Sequence, residues 1–271
     1  MANKNIISAL LSLSTSNNLN LPKTPRTGNR INNIGTPLEE YVKNLFLGNA
    51  GRENHISYEG SKNHPPDFIL KNGDAFEVKK IDNANAADIQ LNSSFPKDKL
   101  YVKDPKITEE CKKCESAPWT EKDIFYVIGV APEDRLKHIF FIHGKCIAAS
   151  YDYYEKFFKA VKSYINKGPF IFEDTKEFGR INNIDPLGIT KLRIRSMSLM
   201  KNPFKIFDFC TIDQNKGANV FCLMTKSKYT SFEENLRNQL TNSNIISVSD
   251  VNTEDPETKT MMSCKFIKFF I

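Results

Sequence analysis

Two short apolar segments on either side of a turn constrain the fold of this chain more than any other feature. Residues 66–70 and 75–81 are rich in β-forming side chains, and Asn72-Gly73 between them is a strong hairpin signal. Charged and apolar residues alternate in the second segment, so one face of its strand can be buried while the other carries charge. The sequence therefore predicts a β-hairpin at the centre of the fold.

The remaining patterns predict an α/β fold class, with a central mixed β-sheet flanked by helices. One helix is expected to begin at Thr36 as the cap, with Pro37 in its first turn and Glu39 at the capping-box position, and to end at Gly48. The other expected elements are a short N-terminal helix, strands at 124–130, 139–143, 191–199, 220–224 and 265–271, a helix at 151–165 covering a face of the sheet, and a helix capped by Ser231 with Glu234.

The composition indicates a single globular body. Hydrophobic residues make up 40 % of 271 residues, which is enough for a core without disulfides, and the six scattered cysteines are expected to be thiols. The formal charge of +6 favours a polyanionic partner, although a bias towards Asn, Ile and Lys explains part of the excess lysine. We expect no signal peptide and no membrane span, and therefore a cytoplasmic protein.

The hairpin presents Asp67, Glu77, Val78 and Lys79 for chemistry. Phosphodiester hydrolysis needs a divalent cation, and Mg²⁺ prefers carboxylate and carbonyl oxygens together with retained waters. Asp67 and Glu77 would supply the carboxylates, and Val78 would supply a main-chain carbonyl. Lys79 would orient the attacking water or stabilise negative charge. The pattern predicts a Mg²⁺-dependent nuclease in which Mn²⁺ can substitute; in the plainer alternative, the charges lie on a solvated strand face.

The loop length of the hairpin tests this interpretation. A two-residue turn would put Asp67 on the face opposite to Glu77. We expect a three-residue loop that includes Asp74 and pairs Asp67 with Lys79, or a bulge near Pro66 with the same effect.

At these residues the chain resembles the PD-(D/E)XK nuclease superfamily, through Pro66-Asp67 and Glu77-Val78-Lys79. Longer segments resemble the NgoPII-type restriction endonucleases, and they are 35–43, 65–70, 72–75, 77–81, 91–94 and 185–190. The resemblance implies a restriction-endonuclease-like core and a type II enzyme that cuts double-stranded DNA at a short palindrome, with GGCC the expected target. It also implies a methyltransferase that protects host DNA.

The resemblance suggests one endonuclease domain over 1–271. Its parts would be an N-terminal arm and basic loop (1–35), a catalytic core (36–165), and target-recognition and closing elements (166–271). A palindromic target implies a symmetric homodimer. Glu39 would assist metal binding, as a first-helix glutamate does in some members of the superfamily, or would serve the capping box alone.

A target of G and C alone is read by bidentate Arg or Lys contacts to guanine and by acidic acceptors for cytosine. The strand around Arg193 and Arg195 offers such basic side chains on one face, and a half-solvated basic strand is the plainer alternative. The candidate DNA contacts are Arg26, Asn29, Arg30, Asn92, Ser93, Ser94, Lys97, Arg180, Asn182, Asn183, Asp185, Lys191, Arg193 and Arg195.

Other interpretations of the chain remain open. Cys111 and Cys114 have the spacing of half a zinc site, but His143 and Cys146 are the nearest further ligands, so the sequence does not favour structural zinc. A repair or structure-specific nuclease would use the same hairpin without a palindrome. A non-catalytic DNA-binding protein would carry the hairpin as a solvated face.

Overall fold

The computed structural model describes residues 4–16, 18–23, 36–47, 51, 54–60, 64–86, 88–91, 95–168, 170–173, 175 and 178–271, which form a mixed α/β structure. The helices are α1 (Ile6–Ser14), α2 (Thr36–Leu47), α3 (Glu109–Lys112), α4 (Tyr151–Asn166), α5 (Pro203–Ile206), α6 (Lys226–Ser231) and α7 (Glu234–Thr241). The strands are β1 (Ile56–Glu59), β2 (Phe68–Leu70), β3 (Ala75–Ile81), β4 (Ile89–Gln90), β5 (Lys99–Tyr101), β6 (Glu121–Val130), β7 (His138–His143), β8 (Gly179–Ile181), β9 (Leu192–Ile194), β10 (Leu199–Met200), β11 (Asn219–Thr225), β12 (Ser247–Glu254) and β13 (Met261–Phe270).

One nine-stranded mixed sheet organises the described chain. Its order is β1-β2-β3-β6-β7-β11-β13-β12, with β5 beside β6. The β3–β6 and β7–β11 pairs are parallel and the other pairs are antiparallel. Two small sheets, β4–β10 and β8–β9, lie outside it. None of the described helices is both long enough and apolar enough to cross a membrane.

The apolar face of the hairpin is buried, as the alternation of residues predicted. Phe46 of α2 lies against Phe76, with ring centroids 4.8 Å apart. Phe76 in turn stacks on Phe68 at 4.8 Å and contacts Phe125 of β6 at 5.7 Å. All four rings are buried, so the side of the hairpin away from its charges is fixed by a shared aromatic cluster.

The hairpin has the odd-numbered loop that the sequence predicted, but in a different register. The Leu70 N–H donates to the carbonyl of Asp74 at 3.0 Å, so the loop is residues 71–73 and Asp74 lies outside it. Phe68 pairs with Phe76, and the Asp67 N–H donates to the carbonyl of the same Phe76 at 3.0 Å. Asp67 therefore does not pair with Lys79, and the ladder is irregular at this residue, as in the predicted alternative of a bulge near Pro66. The Asp67 carboxylate accepts from the Val78 N–H at 2.6 Å, so it lies beside Glu77 and Lys79.

Hydrogen bonds from a distant segment hold the turn of the hairpin. The Glu115 carboxylate accepts from the Asn72 N–H at 3.0 Å. Lys122 Nζ donates to the Gly73 carbonyl at 3.2 Å and to the same carboxylate at 2.8 Å. Because Glu115 and Lys122 are both buried, their ion pair is shielded from water and anchors the loop firmly.

Helix α4 forms where predicted, but the prediction that it covers a face of the sheet is wrong. Within the helix only Tyr151 is buried. Phe157 and Tyr164 are 58 % and 75 % exposed, while the other side of the helix places Tyr154 and Phe158 against Phe95. Helical periodicity identified the apolar residues, but it could not tell which of them would find a partner.

Two further predictions need correction. The expected strand at 191–199 is interrupted. Strand β9 pairs with β8, and after a break in the strand β10 pairs with β4. The expected cap at Ser231 is also wrong: this residue ends α6, and Glu233 precedes α7 without a side-chain cap. The other predicted strands form, and the structure adds β1, β4, β5, β8 and β12.

Some of the N-terminal predictions concern residues that the structure does not describe. Helix α1 forms as expected, and α2 begins at Thr36. The predicted basic loop around Arg26, Asn29 and Arg30, the predicted helix end at Gly48, and the capping side chain of Thr36 lie outside the described residues.

Replacement of Phe76 by alanine tests the aromatic cluster. Removing this buried ring leaves a cavity among three other rings, so we expect the free energy of unfolding to fall by about 3–5 kcal/mol. Urea denaturation would measure it. Phe157→Ala is the matched control, because its ring is exposed and its loss should change stability by at most about 0.5 kcal/mol. Equal effects in the two variants would contradict the assignment of Phe76 to the core.

Candidate active site

The β2–β3 hairpin brings Asp67, Glu77 and Lys79 together. Asp67 precedes β2, and its Oδ2 accepts the Val78 N–H at 2.6 Å across the hairpin. Lys79 Nζ lies 2.6 Å from Glu77 Oε1, as expected for residues two apart on one strand face. Both carboxylates and the ammonium thus lie beside the main chain of Val78, which is the convergence that the sequence predicted.

The charges in this cluster act strongly on one another. Burial raises the pKa of Asp67 to about 8, and the negative charge of Glu77 adds to the effect, whereas Lys79 and the Val78 N–H partly oppose it. Burial would lower the pKa of Lys79, but the charges of Glu77 and Asp67 outweigh burial and raise it. The lysine is therefore held as a cation, and Asp67 keeps its proton up to about pH 8 when no metal is bound.

The donor set fits a hard divalent cation. Glu77 Oε2 is buried and has no hydrogen-bond partner among the described residues. It faces a small cleft whose lining residues are Pro65, Glu77, Leu91, Phe95, Lys97, Ile124 and Tyr126. No group of three or more His, Cys, Asp or Glu side chains in the described part of the chain is arranged to hold a metal. Two carboxylates with a carbonyl and several waters suit Mg²⁺ better than zinc.

Helix α2 adds a further carboxylate to the electrostatics of the site. The charge of Glu39 raises the pKa of both Asp67 and Lys79, so this side chain is close enough to act on them. Glu39 Oε1 also lies 2.8 Å from Lys43 Nζ. The position of Glu39 is compatible with the metal-assisting role. The capping role involves the side chain of Thr36, which lies outside the described residues.

Lys43 and Glu59 are site-supporting residues that sequence reasoning missed. Lys43 is buried, and its Nζ lies 2.8 Å from both Glu39 and Glu59 Oε2, so it joins α2 to β1. The i,i+4 spacing of Glu39 and Lys43 was a readable signal. The contact with Glu59 depends on β1, which the sequence did not reveal.

Gly60 fixes the chain just before the hairpin. Its N–H donates to the Asp67 carbonyl at 2.7 Å, and a Cβ atom added at Gly60 would lie only 2.1 Å from the Pro66 carbonyl oxygen. Only glycine permits this approach, which holds the backbone of Asp67 in place.

Two of the predicted DNA-contacting side chains are engaged within the protein. Lys97 is buried, with Nζ 2.7 Å from the buried Asp104, which favours a structural role over a phosphate contact. Asp185 accepts the Thr190 N–H at 2.7 Å and the Thr190 hydroxyl, and these bonds lower the pKa of Asp185 to about 2. Both side chains therefore already have partners within the protein.

The remaining described candidates lie together on and beside the β8–β9 hairpin. Arg180 pairs directly with Arg193, and Arg193, Arg195 and Lys191 are exposed. Asn182 donates to Glu173, and Asn183 is exposed. Six other candidates fall outside the described residues, and they are Arg26, Asn29, Arg30, Asn92, Ser93 and Ser94.

The two cysteines with the spacing of half a zinc site have other neighbours in the structure. Cys111 is buried in α3, and Cys114 Sγ lies 3.7 Å from the Ser57 hydroxyl. Among the further ligands considered, His143 lies 3.3 Å from Asp123, and Cys146 lies 3.8 Å from Cys264. Cys111 and Cys114 are neighbours, whereas His143 and Cys146 have other partners.

The raised pKa of Asp67 predicts how stability depends on pH without metal. Between its ordinary value of 3.8 and about 8, the folded protein holds a proton that the unfolded chain releases, so stability falls as pH rises through this window. In EDTA at pH 8, Asp67→Asn should raise the free energy of unfolding by about 1 kcal/mol or more. Urea denaturation at several pH values measures this, with Lys80→Ala as control. Parallel pH profiles for wild type and Asp67→Asn would refute the burial of this charge.

Comparisons with known proteins agree along the whole chain. A family model described as NgoPII restriction endonuclease matches residues 4–257. Type II restriction enzyme NgoPII of Neisseria gonorrhoeae is 35 % identical over 280 residues, covering 98 % of this chain and 100 % of that relative. No solved structure matches the chain. Because both sequence matches extend over nearly its full length, the chain belongs to the NgoPII restriction endonuclease family of type II restriction enzymes, which are site-specific deoxyribonucleases.

Proposed function

We propose that this enzyme cuts double-stranded DNA by Mg²⁺-dependent hydrolysis at a PD-(D/E)XK core formed by the β2–β3 hairpin and α2. The observation that carries the proposal is the convergence of Asp67, Glu77 and Lys79 beside a buried carboxylate oxygen without a hydrogen-bond partner. Family membership supports DNA as the substrate.

Each residue of the site has a distinct task in this proposal. Asp67 and Glu77 bind the cation through their carboxylates, and Val78 contributes its carbonyl. Bound Mg²⁺, for which Mn²⁺ can substitute, supplies positive charge at the scissile phosphate and makes water a better nucleophile. Lys79 orients that water and stabilises negative charge as the phosphorus–oxygen bond breaks. Its raised pKa keeps it cationic throughout the neutral range.

Glu39 acts from the helix side of the site. Its carboxylate would add negative charge beside the cation and would accept a hydrogen bond from water in the site. Lys43 fixes the side chain in place from within the core, because its ammonium is buried between Glu39 and Glu59. We therefore place Glu39 in the site and Lys43 behind it as a positioning residue.

The basic β8–β9 hairpin contacts DNA in this proposal. Like charges directly opposite on paired strands repel, so the Arg180–Arg193 pair favours an anionic partner. The main chain connects this region to the site, because the Leu91 N–H, from a residue that lines the Glu77 cleft, donates to the Ser198 carbonyl at 2.9 Å. The proposed contacts are Arg26, Asn29, Arg30, Asn92, Ser93, Ser94, Arg180, Asn182, Asn183, Lys191, Arg193 and Arg195.

The target and the assembly follow from the family resemblance. The proposed target is the palindrome GGCC, read by two copies of the chain related by two-fold symmetry. A methyltransferase of the same specificity would protect host DNA in the cytoplasm. Digestion of phage DNA by the purified protein with Mg²⁺, followed by sequencing of the fragment ends, tests the target. Ends without a common sequence would instead indicate a structure-specific nuclease.

Two alanine variants test the residue roles. Asp67→Ala and Lys79→Ala should each lower the cleavage rate by at least about 10³-fold while DNA binding in EDTA stays within about threefold, because base contacts lie elsewhere. Plasmid cleavage and duplex binding measure the two effects. Lys80→Ala is the matched control, since Lys80 lies on the other strand face and pairs with Asp134 at 3.2 Å. Retained cutting by either variant would refute its assigned role.

A further inference from the structure

The loop between β8 and β9 exposes large apolar side chains at its tip. We call residues 182–191 the tip loop. Leu187 is 83 % exposed and Ile189 is 76 % exposed, and Ile184 beside them is also exposed. Apolar side chains grouped in this way on a surface mark a contact with another molecule more often than isolated ones do.

Internal hydrogen bonds hold the tip loop in one conformation. The Asp185 carboxylate accepts from the N–H groups of Ile189 at 3.3 Å and Thr190 at 2.7 Å. The Ile184 N–H donates to the Thr190 carbonyl at 3.1 Å, and Gly188 takes a positive φ of 69° that favours glycine. The exposed side chains therefore project from a preorganised loop, which lowers the entropic cost of using them in binding.

The surroundings of the tip loop are strongly basic. Between residues 178 and 201 there are five basic residues and one acidic residue, Asp185, whose carboxylate is bound within the tip loop. Glu173, which pairs with Arg180 and accepts a hydrogen bond from Asn182, reduces the local excess to three positive charges. An apolar tip on a basic hairpin is complementary to nucleic acid, which has apolar base surfaces between two rows of phosphates.

We propose that Leu187 and Ile189 form an apolar wedge that enters a groove of the DNA and packs against a base step, partly unstacking it. This inference rests on the proposed function and adds a mode of base contact to it. Arg180, Arg193 and Arg195 contact the flanking phosphates, whose negative charge offsets the positive charge of the β8–β9 hairpin. A second copy of this chain is the less favoured occupant, because two positively charged β8–β9 hairpins would repel each other.

The test compares a wedge variant with an equally exposed control. Leu187→Ser/Ile189→Ser should bind a short GGCC duplex in EDTA at least tenfold more weakly than wild type. The dependence of affinity on salt should be unchanged, because no phosphate contact is lost. Phe157→Ser/Tyr164→Ser removes exposed apolar surface from α4, and its affinity should stay within twofold. Arg193→Ala should instead lower the salt slope by about one.

A spectroscopic readout isolates the insertion itself. A fluorescent purine analogue placed in turn at each step of the duplex should brighten at one step when wild-type protein binds, and should stay dark with the wedge variant. Unchanged affinity and unchanged brightening in the wedge variant would overturn the proposal. A wedge variant that binds DNA normally but loses self-association in sedimentation would assign the tip to a second copy.

The outcomes separate this inference from the proposed function. Wild-type protein that fails to cut any DNA with Mg²⁺ would refute the proposed function, whatever the wedge variant does. Wild-type protein that cuts DNA, with a wedge variant that binds and unstacks normally, would refute the wedge alone. Both changed side chains are exposed, so the melting temperature of the variant should match that of wild type and confirm that it is folded.

Discussion

The pairing register of β2 with β3 is the constraint on which the rest of the site depends. Side chains alternate between faces along a strand, so a slip of one residue would move Asp67 to the aromatic face and separate it from Glu77. The structure secures the register at both ends. Glu115 and Lys122 hold the turn, and Gly60 holds the open end beside Asp67. The local geometry of the site is therefore specified by residues that take no part in its chemistry.

Lysine side chains neutralise carboxylates at two places in and behind the site. Lys79 lies against Glu77, and Lys43 lies between Glu39 and Glu59. Lys43 is buried and Lys79 is partly buried, so each attracts its carboxylates more strongly than a surface lysine would, and its loss would leave negative charge uncompensated. Burial raises the pKa of Asp67, and the negative charge of Glu77 adds to the effect, so a divalent ion would relieve a destabilised pair of carboxylates.

The sequence predicted the elements whose apolar residues recur at regular spacing or that are joined by a clear turn signal. Strand β3 has the predicted bounds, and the face that carries Glu77 and Lys79 was assigned correctly. Features that depend on packing could not be predicted, and examples are the ion pairs of Lys97 with Asp104 and of Lys43 with Glu59, and the exposed side of α4. A single sequence records that a lysine is present but not which distant carboxylate will meet it.

The basic β8–β9 hairpin lies within the connection between two neighbouring parallel strands. Strand β7 ends at His143, β11 begins at Asn219, and the hairpin occupies part of the chain between them. Because the entropic cost of closing a connection rises only slowly with its length, this segment can gain, lose or exchange residues while the two strands stay paired. Under the proposed function, relatives could therefore diverge in which DNA they recognise without altering the β2–β3 hairpin. Specificity and cleavage would then evolve separately, because they depend on different segments of one chain.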